Sequence, residues 1–278
     1  MDKLDHLGWV GRHHYYEIGG RRLGIRTTSE GFGERLDAIL AEYRTEPSDG
    51  TPYYGVVLAD GAEGTRREKK FHIFYRGTQP LVRTLDPSTL VRAMLSEFEF
   101  YLFAERDDAI YTDAGLVRAH GMLAVVPASV TASLWKLGGR VTREGLSLHA
   151  EPYIAVDAES GQVVPLRSAL RIPDGSLETL TAFATTNGDT DPSPLDGPSR
   201  VDLLCSYATG EPSEERVEPI SRGRALSQLT SNVVNLETLG ITAVAGLARL
   251  TEGARCRQIA PAQPRPLLDT IVAAFKAL

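Results

Sequence analysis

Six histidines, His6, His13, His14, His72, His120 and His149, are the first candidates for metal binding or proton transfer. No two stand at the i, i+4 spacing that sets a ligand pair on one face of a helix, and His13 and His14 would point to opposite faces of a strand. They read as surface and core histidines, and no metal is expected. Glu97 and Glu99 lie two apart on a helical stretch and do not share a face, so they read as solvated carboxylates and not as an acid/base pair. Gly31-Phe32-Gly33 follows a strand and opens a helix, as a dinucleotide fingerprint would, but the third glycine position is Leu36. There is no Gly-x-Ser-x-Gly nucleophile elbow. Arg66, Arg67, Lys69 and Lys70 set four positive charges around Glu68. Such a cluster is either a charged, soluble hairpin edge or a landing site for an acidic peptide.

The elements that must carry these residues alternate strand and helix over the first hundred positions. Tyr15–Ile18, Gly19-Gly20 and Arg21–Thr28 spell a hairpin whose two glycines supply the positive φ of a tight turn. Ser29 caps a helix with Phe32, Leu36, Ile39, Leu40 and Tyr43 on one stripe. The stretch 46–52 is a loop. Tyr53–Asp60 and Lys69–Arg76 read as strands joined across Gly61–Gly64. Asp86-Pro87 starts a helix to about Glu105 that buries Leu90, Met94, Phe98 and Leu102. From Ala109 the pattern turns strand-rich: Ile110–Thr112, Leu116–Ala119 and Leu123–Val126, then an apolar segment from Ala128 to Leu137 with no clear period. Tyr153–Asp157 and Gln162–Leu166 form a second hairpin, Asn187–Arg200 a surface loop, and Val201–Tyr207 a strand. The tail from Ser221 is helical, broken at Asn235 and by the short segment Cys256–Ile259.

Composition bounds what these parts can do. The chain has 278 residues, 42% hydrophobic and 24% charged, which excludes whole-chain disorder and suits one large or two ordinary domains. With 30 basic against 36 acidic residues, the formal charge of −6 disfavours a nucleic-acid backbone as partner. Cys205 and Cys256 are too few for a disulfide framework or a four-thiolate metal site, so a reducing cytoplasm is expected. Met1–His6 lacks the features of a signal peptide. The apolar runs Met122–Val130 and Ile241–Leu247 fall far short of the roughly 20 residues of a spanning helix, so no membrane is expected as partner.

One stretch carries a resemblance. Ile110–Val117 followed by Met122–Pro127 resembles the nucleotide-binding core of the HPr kinase-related family, in which an apolar strand runs into a glycine-rich phosphate loop. Downstream, Asp157, Gly161, Val163, Pro165-Leu166, Leu170 and Ile172-Pro173 are similar to that family's Asp-x-x-x-Gly-x-Val-x-Pro-Leu hairpin. Arg224-Ala225-Leu226, Leu229, Leu247–Leu250 and Ala254–Ile259 resemble its closing helices and strand. The match runs from Ala109 to the end with interruptions, and more faintly through the first hundred residues.

A phosphate loop needs glycines so that backbone N–H groups can close around phosphate, a lysine for charge, and a Ser or Thr for magnesium. The corresponding positions here are Ala128, Ser129, Val130, Thr131, Ala132 and Ser133, between Pro127 and Leu134. They include no glycine and no lysine, and Lys136 lies on the wrong side of the Ser/Thr positions. Asp113 stands where the family has histidine, and Thr142-Arg143-Glu144-Gly145 where it has its metal-supporting acid, leaving Glu144 as the remaining carboxylate there.

The expected fold is α/β: an N-terminal α/β region over 1–107, and an HPr kinase-like core with C-terminal helices over 108–278. The resemblance implies a pseudokinase-like, non-catalytic accessory protein that needs no cofactor. It would recognise a precursor peptide in ribosomal peptide natural product (RiPP) biosynthesis of the crocagin type, alongside other pathway enzymes. The alternative is an active ATP-dependent serine kinase acting on a peptide or protein. The peptide is expected on the N-terminal β layer, at Tyr53, Tyr54, Arg66, Arg67, Lys69 and Lys70.

Overall fold

The computed structural model describes residues 7–47, 53–59, 71–135, 137, 139–150, 153–166, 170, 195–207, 217–260 and 264–277. Helices and strands are mixed throughout, and the fold is α/β. The chain divides into two compact units, residues 1–102 with 168–187, and residues 103–167 with 188–278. The division therefore falls between Leu102 and Phe103, ahead of the expected boundary after residue 107. Phe103 stacks on Tyr111 with ring centroids 4.4 Å apart.

The first unit is built on one five-stranded sheet, β1-β2-β3-β4-β5. β1 (His14–Ile18) and β2 (Arg21–Thr27) are the expected hairpin, turning through Gly19 and Gly20 at φ of 54° and 63°. Ser29 caps α1 (Glu30–Ile39) by accepting from Phe32 N, and α1 buries Phe32, Leu36 and Ile39. β3 (Tyr54–Val57) then lies parallel to β2, and β4 (His72–Arg76) lies antiparallel to β3. The connection expected at Gly61–Gly64 lies outside the described residues. β5 (Gln79–Thr84) returns antiparallel on β4. It is missing from the sequence expectation because Pro80 breaks the strand signal, a residue that edge strands tolerate. Asp86 accepts from Ser88 N and Thr89 N at the start of α2 (Pro87–Ala104). α2 buries Leu90, Met94 and Phe98 as expected, while Leu102 is only partly covered.

The second unit centres on a six-stranded sheet. In chain order its strands are β7 (Gly115–Ala119), β8 (Met122–Val126), β9 (Leu146–Ala150), β12 (Leu203–Tyr207), β13 (Val217–Pro219) and β14 (Arg255–Ile259). In space they run β13-β14-β12-β8-β7-β9, with β8, β12 and β14 mutually parallel. β6 (Ile110–Asp113), β10 (Tyr153–Val156) and β11 (Val163–Val164) form a separate three-stranded sheet. Alternation along each strand sends side chains to both faces of the central sheet, and each face is covered. On one, Leu116, Val125, Leu204 and Cys256 pack with α5 (Arg222–Thr230) and α7 (Ile241–Gly253), through Ala225, Leu229, Leu247 and Leu250. On the other, Val117, Val126, Leu203 and Ile259 meet α3 (Ala128–Trp135) and α8 (Pro264–Lys276), through Val130, Leu134, Leu267 and Ile271. Short helices α4 (Gly139–Arg143) and α6 (Leu236–Leu239) complete the order. No helix among the described residues is long and apolar enough to cross a membrane.

Candidate functional site

Ligands of open parallel sheets gather beyond the carboxyl ends of the strands, where the chain turns into a helix. Here β8 passes into α3 through one residue, Pro127. Ala128, Ser129, Val130, Thr131, Ala132 and Ser133 therefore form the first turns of a helix, not a loop. Val130 N donates to Pro127 O at 2.8 Å, so the turn is closed on itself. Val130, Thr131 and Leu134 are fully buried. The Thr131 hydroxyl donates to Ala128 O at 2.7 Å and that of Ser133 to Ser129 O at 2.7 Å. Ser129 Oγ donates to Tyr207 Oη at 2.9 Å, tying the helix start to the end of β12. Cradling a phosphate requires consecutive free N–H groups in an open loop. The backbone between Val126 and Leu134 has no such loop.

Beside this junction lies a cleft of about 210 Å³ lined by Asp113, Ala114, Val125, Val126, Pro127, Leu204, Cys205, Ser206, Tyr207, Ala225, Gln228, Leu229, Ser231 and Asn232. Its walls are mostly apolar, and among the described residues its lining includes one carboxylate, Asp113, and no lysine, arginine or histidine. Asp113 is placed by β6, whose outer side is held by the chain after α5: Asp113 N donates to Asn232 O at 2.9 Å and Val234 N to Tyr111 O at 2.8 Å. The side chain stays exposed at the mouth, yet desolvation by the surrounding chain pushes its carboxyl above the usual range. Ser206 Oγ and Gln228 Oε1 are shut off from solvent without a hydrogen-bond partner. Gln228 Nε2 donates to Tyr207 O over a long 3.4 Å. Burial pushes the Cys205 thiol up to about 12, so it is not a nucleophile at neutral pH.

Asn235 fixes this end of the unit. It is fully buried, accepts from Tyr111 N at 3.0 Å, and donates to Arg106 O and Ala109 O at 2.8 Å each. The sequence marks it only as a helix interruption. Ser206 and Gln228 carry no sequence signal either, since the sheet and α5 bring them together only in space.

The other expected site residues fall in the first unit. Tyr53 is 51% exposed and available to a partner. Tyr54 is a correction: it is fully buried against Phe74 and Phe98 and cannot touch a peptide. Its hydroxyl donates to Glu97 Oε1 at 2.7 Å and meets Tyr101 Oη at 2.7 Å. Glu97 is likewise not solvated, because it pairs with Arg76 beneath that hydroxyl. Arg66, Arg67, Lys69 and Lys70 lie outside the described residues.

His13 and His14 do point to opposite faces, His13 outward and His14 into the core. His14 Nδ1 lies 3.0 Å from Asp37 Oδ1, which also accepts from Tyr16 Oη at 2.9 Å, while Arg12 reaches Oδ2 at 3.0 Å. Burial alone would raise the Asp37 carboxyl, but His14, Tyr16 and Arg44 outweigh it and hold it below the usual range. This pair borders a cleft of about 630 Å³ with Arg12 and Arg44 at its rim. It resembles an acid/base dyad, but the other ring nitrogen is blocked: a Cβ on Gly33 would stand 2.2 Å from His14 Nε2. Gly33 is thus needed for the approach of α1 to β1, and the Gly31-Phe32-Gly33 motif is packing. Glu144 is exposed just after α4, and no group of three metal-ligating side chains occurs among the described residues. No protein family, curated protein or solved structure was found to match the chain.

Proposed function

We propose that this chain is a cytoplasmic, non-catalytic peptide-holding protein, an HPr kinase-like fold without its phosphate loop, which serves a precursor peptide of a ribosomal natural product. The observation that carries the reading is the one-residue junction at Pro127, which replaces a phosphate loop with a buried helix. The charge of the adjoining cleft supports it: a polyphosphate there would face Asp113 with no cation among the described lining side chains.

The peptide-holding half of the reading draws on the first unit. β1 has its outer side partly occupied, since Tyr16 bridges to Arg44 and Thr45 N donates to Tyr15 O at 3.0 Å. β5 ends the sheet with no strand beyond it among the described residues. An extended chain can add there through its own N–H and C=O groups, while side-chain contacts select its sequence. Tyr53 lies beside the turn into β5, where Gly77 N donates to Tyr53 O, and offers an exposed aromatic contact next to that edge.

Two titrations test the reading. With millimolar Mg-ATP the melting temperature should not move, whereas a ligand at 100 times its Kd stabilises by about 2.7 kcal/mol. The precursor peptide encoded beside the gene should bind below about 100 μM in low salt, an affinity of roughly 5.5 kcal/mol. A magnesium-dependent shift with ATP would restore the active serine kinase. Absence of peptide binding would remove the peptide-holding role.

A further inference from the structure

We propose that the cleft between β1 and the segment after α1 is a carboxylate-binding site, with Arg12 and Arg44 as its two cations. The proposal does not rest on the peptide-holding role, because none of its residues belongs to β5 or to the sheet end at Pro127.

The two arginines lie far apart in the sequence and are brought together by the first sheet. Arg12 stands just ahead of β1, while Arg44 follows α1 and bridges to Tyr16 of β1. Thr45 N donates to Tyr15 O at 3.0 Å, which pins the backbone beside Arg44. Both guanidiniums converge on one oxygen of Asp37: Arg12 Nη2 donates to Oδ2 at 3.0 Å, and Arg44 Nη2 stands 3.8 Å from it. The other oxygen, Oδ1, is engaged by His14 Nδ1 and Tyr16 Oη, both from β1. The carboxylate that gathers the arginines is thus itself held in place.

A guanidinium carries five N–H donors. Among the described residues Arg12 spends one of them on Asp37, and Arg44 makes only the looser ion pair. Their side chains are 51% and 54% exposed, so the remaining donors are open to a ligand entering the cleft. Two positive charges against Asp37 leave a positive surplus, and a planar carboxylate answers it with two oxygens that match the guanidinium fork. His13 on the same wall adds little charge at neutral pH, because burial, then Arg26 and His14, lower its pKa. A phosphate dianion would bring a second negative charge against Asp37 and against Glu46, the other carboxylate of the lining. A cleft of about 630 Å³ has room for more than the carboxylate itself. The ligand is therefore a free organic acid or an acidic side chain of another polypeptide.

The test is an NMR titration of the full chain at low salt, following the arginine Nε–H signals, with n-butyrate as probe. n-Butylammonium and n-butanol are matched controls of opposite and zero charge. n-Butyrate alone should shift the Arg12 and Arg44 signals saturably, with a Kd below about 10 mM, and leave the other arginine signals in place. Arg44→Gln should weaken binding about tenfold or more. Arg44→Lys keeps the charge without the fork and should fall between Arg44→Gln and wild type. Arg44 is half exposed, so both variants should fold, and unchanged amide signals away from the cleft confirm it. Glu46→Gln removes the competing carboxylate and should tighten binding, while n-butyl phosphate should bind more weakly than n-butyrate. N-acetyl-glutamate α-N-methylamide separates the two sources: binding tighter than n-butyrate assigns a polypeptide side chain, and weaker binding assigns a free acid. The proposal is overturned if n-butyrate fails to saturate, if n-butylammonium or n-butyl phosphate binds equally, or if Arg44→Gln binds unchanged.

Discussion

Gly115→Ala is the sharpest probe of whether the segment after β8 is packing or a ligand cradle. Gly115 opens β7 directly under α3. A methyl group there would stand 2.3 Å from Thr131 Cγ2, 2.4 Å from Oγ1 and 2.9 Å from Cβ. Gly115 is not among the residues with positive φ, so an alanine meets no backbone strain and the cost is steric alone. Thr131 has no room to retreat, being fully buried on a helix whose neighbours Val130 and Leu134 are also fully buried. Overpacking of this kind costs about 1–3 kcal/mol. Thr131→Ala removes the two closest atoms, Cγ2 and Oγ1, and leaves Cβ at 2.9 Å, at a cost of about 1 kcal/mol for the lost contacts. Gly115→Ala introduced into Thr131→Ala should then cost about 1 kcal/mol less than in wild type, the coupling energy read from the double-mutant cycle. Urea denaturation measures it, with amide exchange in β7 and α3 to isolate the second unit if the two units unfold in separate transitions. Equal cost of Gly115→Ala in both backgrounds would refute the contact, and with it the claim that these positions are filled by core packing.

Leu134→Ala, on the same helix and fully buried, should lower stability by about 2–5 kcal/mol in urea, and a cost below about 1 kcal/mol would mean the site is open. Asn235→Ala leaves the buried Tyr111 N–H without its acceptor and should cost about 1–3 kcal/mol, with faster exchange of that amide as the local readout. Asp37 titrates below its ordinary value in the folded chain. Its contribution is therefore present above the unfolded pKa of about 4 and is lost as pH falls through the lower folded value. Asp37→Asn should accordingly be less stable than wild type at pH 6, with the gap closing toward pH 2; a gap independent of pH would show that charge is not its source.

Local chemistry was legible wherever one short stretch determined it. The Gly19-Gly20 turn, the Ser29 cap, the Asp86-Pro87 helix start and the opposite facing of His13 and His14 all depend on neighbours within a few residues. Ala128 to Leu137 had no clear period because Ala128–Trp135 is a short helix at a crowded junction, where Thr131 packs against β7 and Val130 and Leu134 pack in the core. Strand β5 escaped because Pro80 lowers the strand signal at an edge where its missing N–H is harmless. Tyr54 and Glu97 were misplaced for one reason: their hydrogen bond links β3 to α2 across 43 residues, and no local pattern records it. Of the cleft, only Asp113 and the segment from Pro127 were marked in the sequence, and the β12 and α5 side of its lining was illegible. Asp202 Oδ2 accepts from Leu123 N across 79 residues where β12 meets β8, and only that parallel pairing places Ser206 beside Pro127.

The case against a nucleotide at this sheet end has two physically separate parts. One is steric, a strand that enters its helix through Pro127 with no span of backbone left to wrap a phosphate. The other is electrostatic, a lining whose single charged side chain among the described residues, Asp113, is negative. Either part can fail without the other, and the failures look different. Were the helix start to unravel and bind phosphate, Mg-ATP would protect wild type weakly and Asp113→Asn more strongly, because removing a carboxylate near the phosphates removes repulsion. Were Asp113 without electrostatic effect on a phosphate, Asp113→Asn would leave the response to Mg-ATP as it is in wild type.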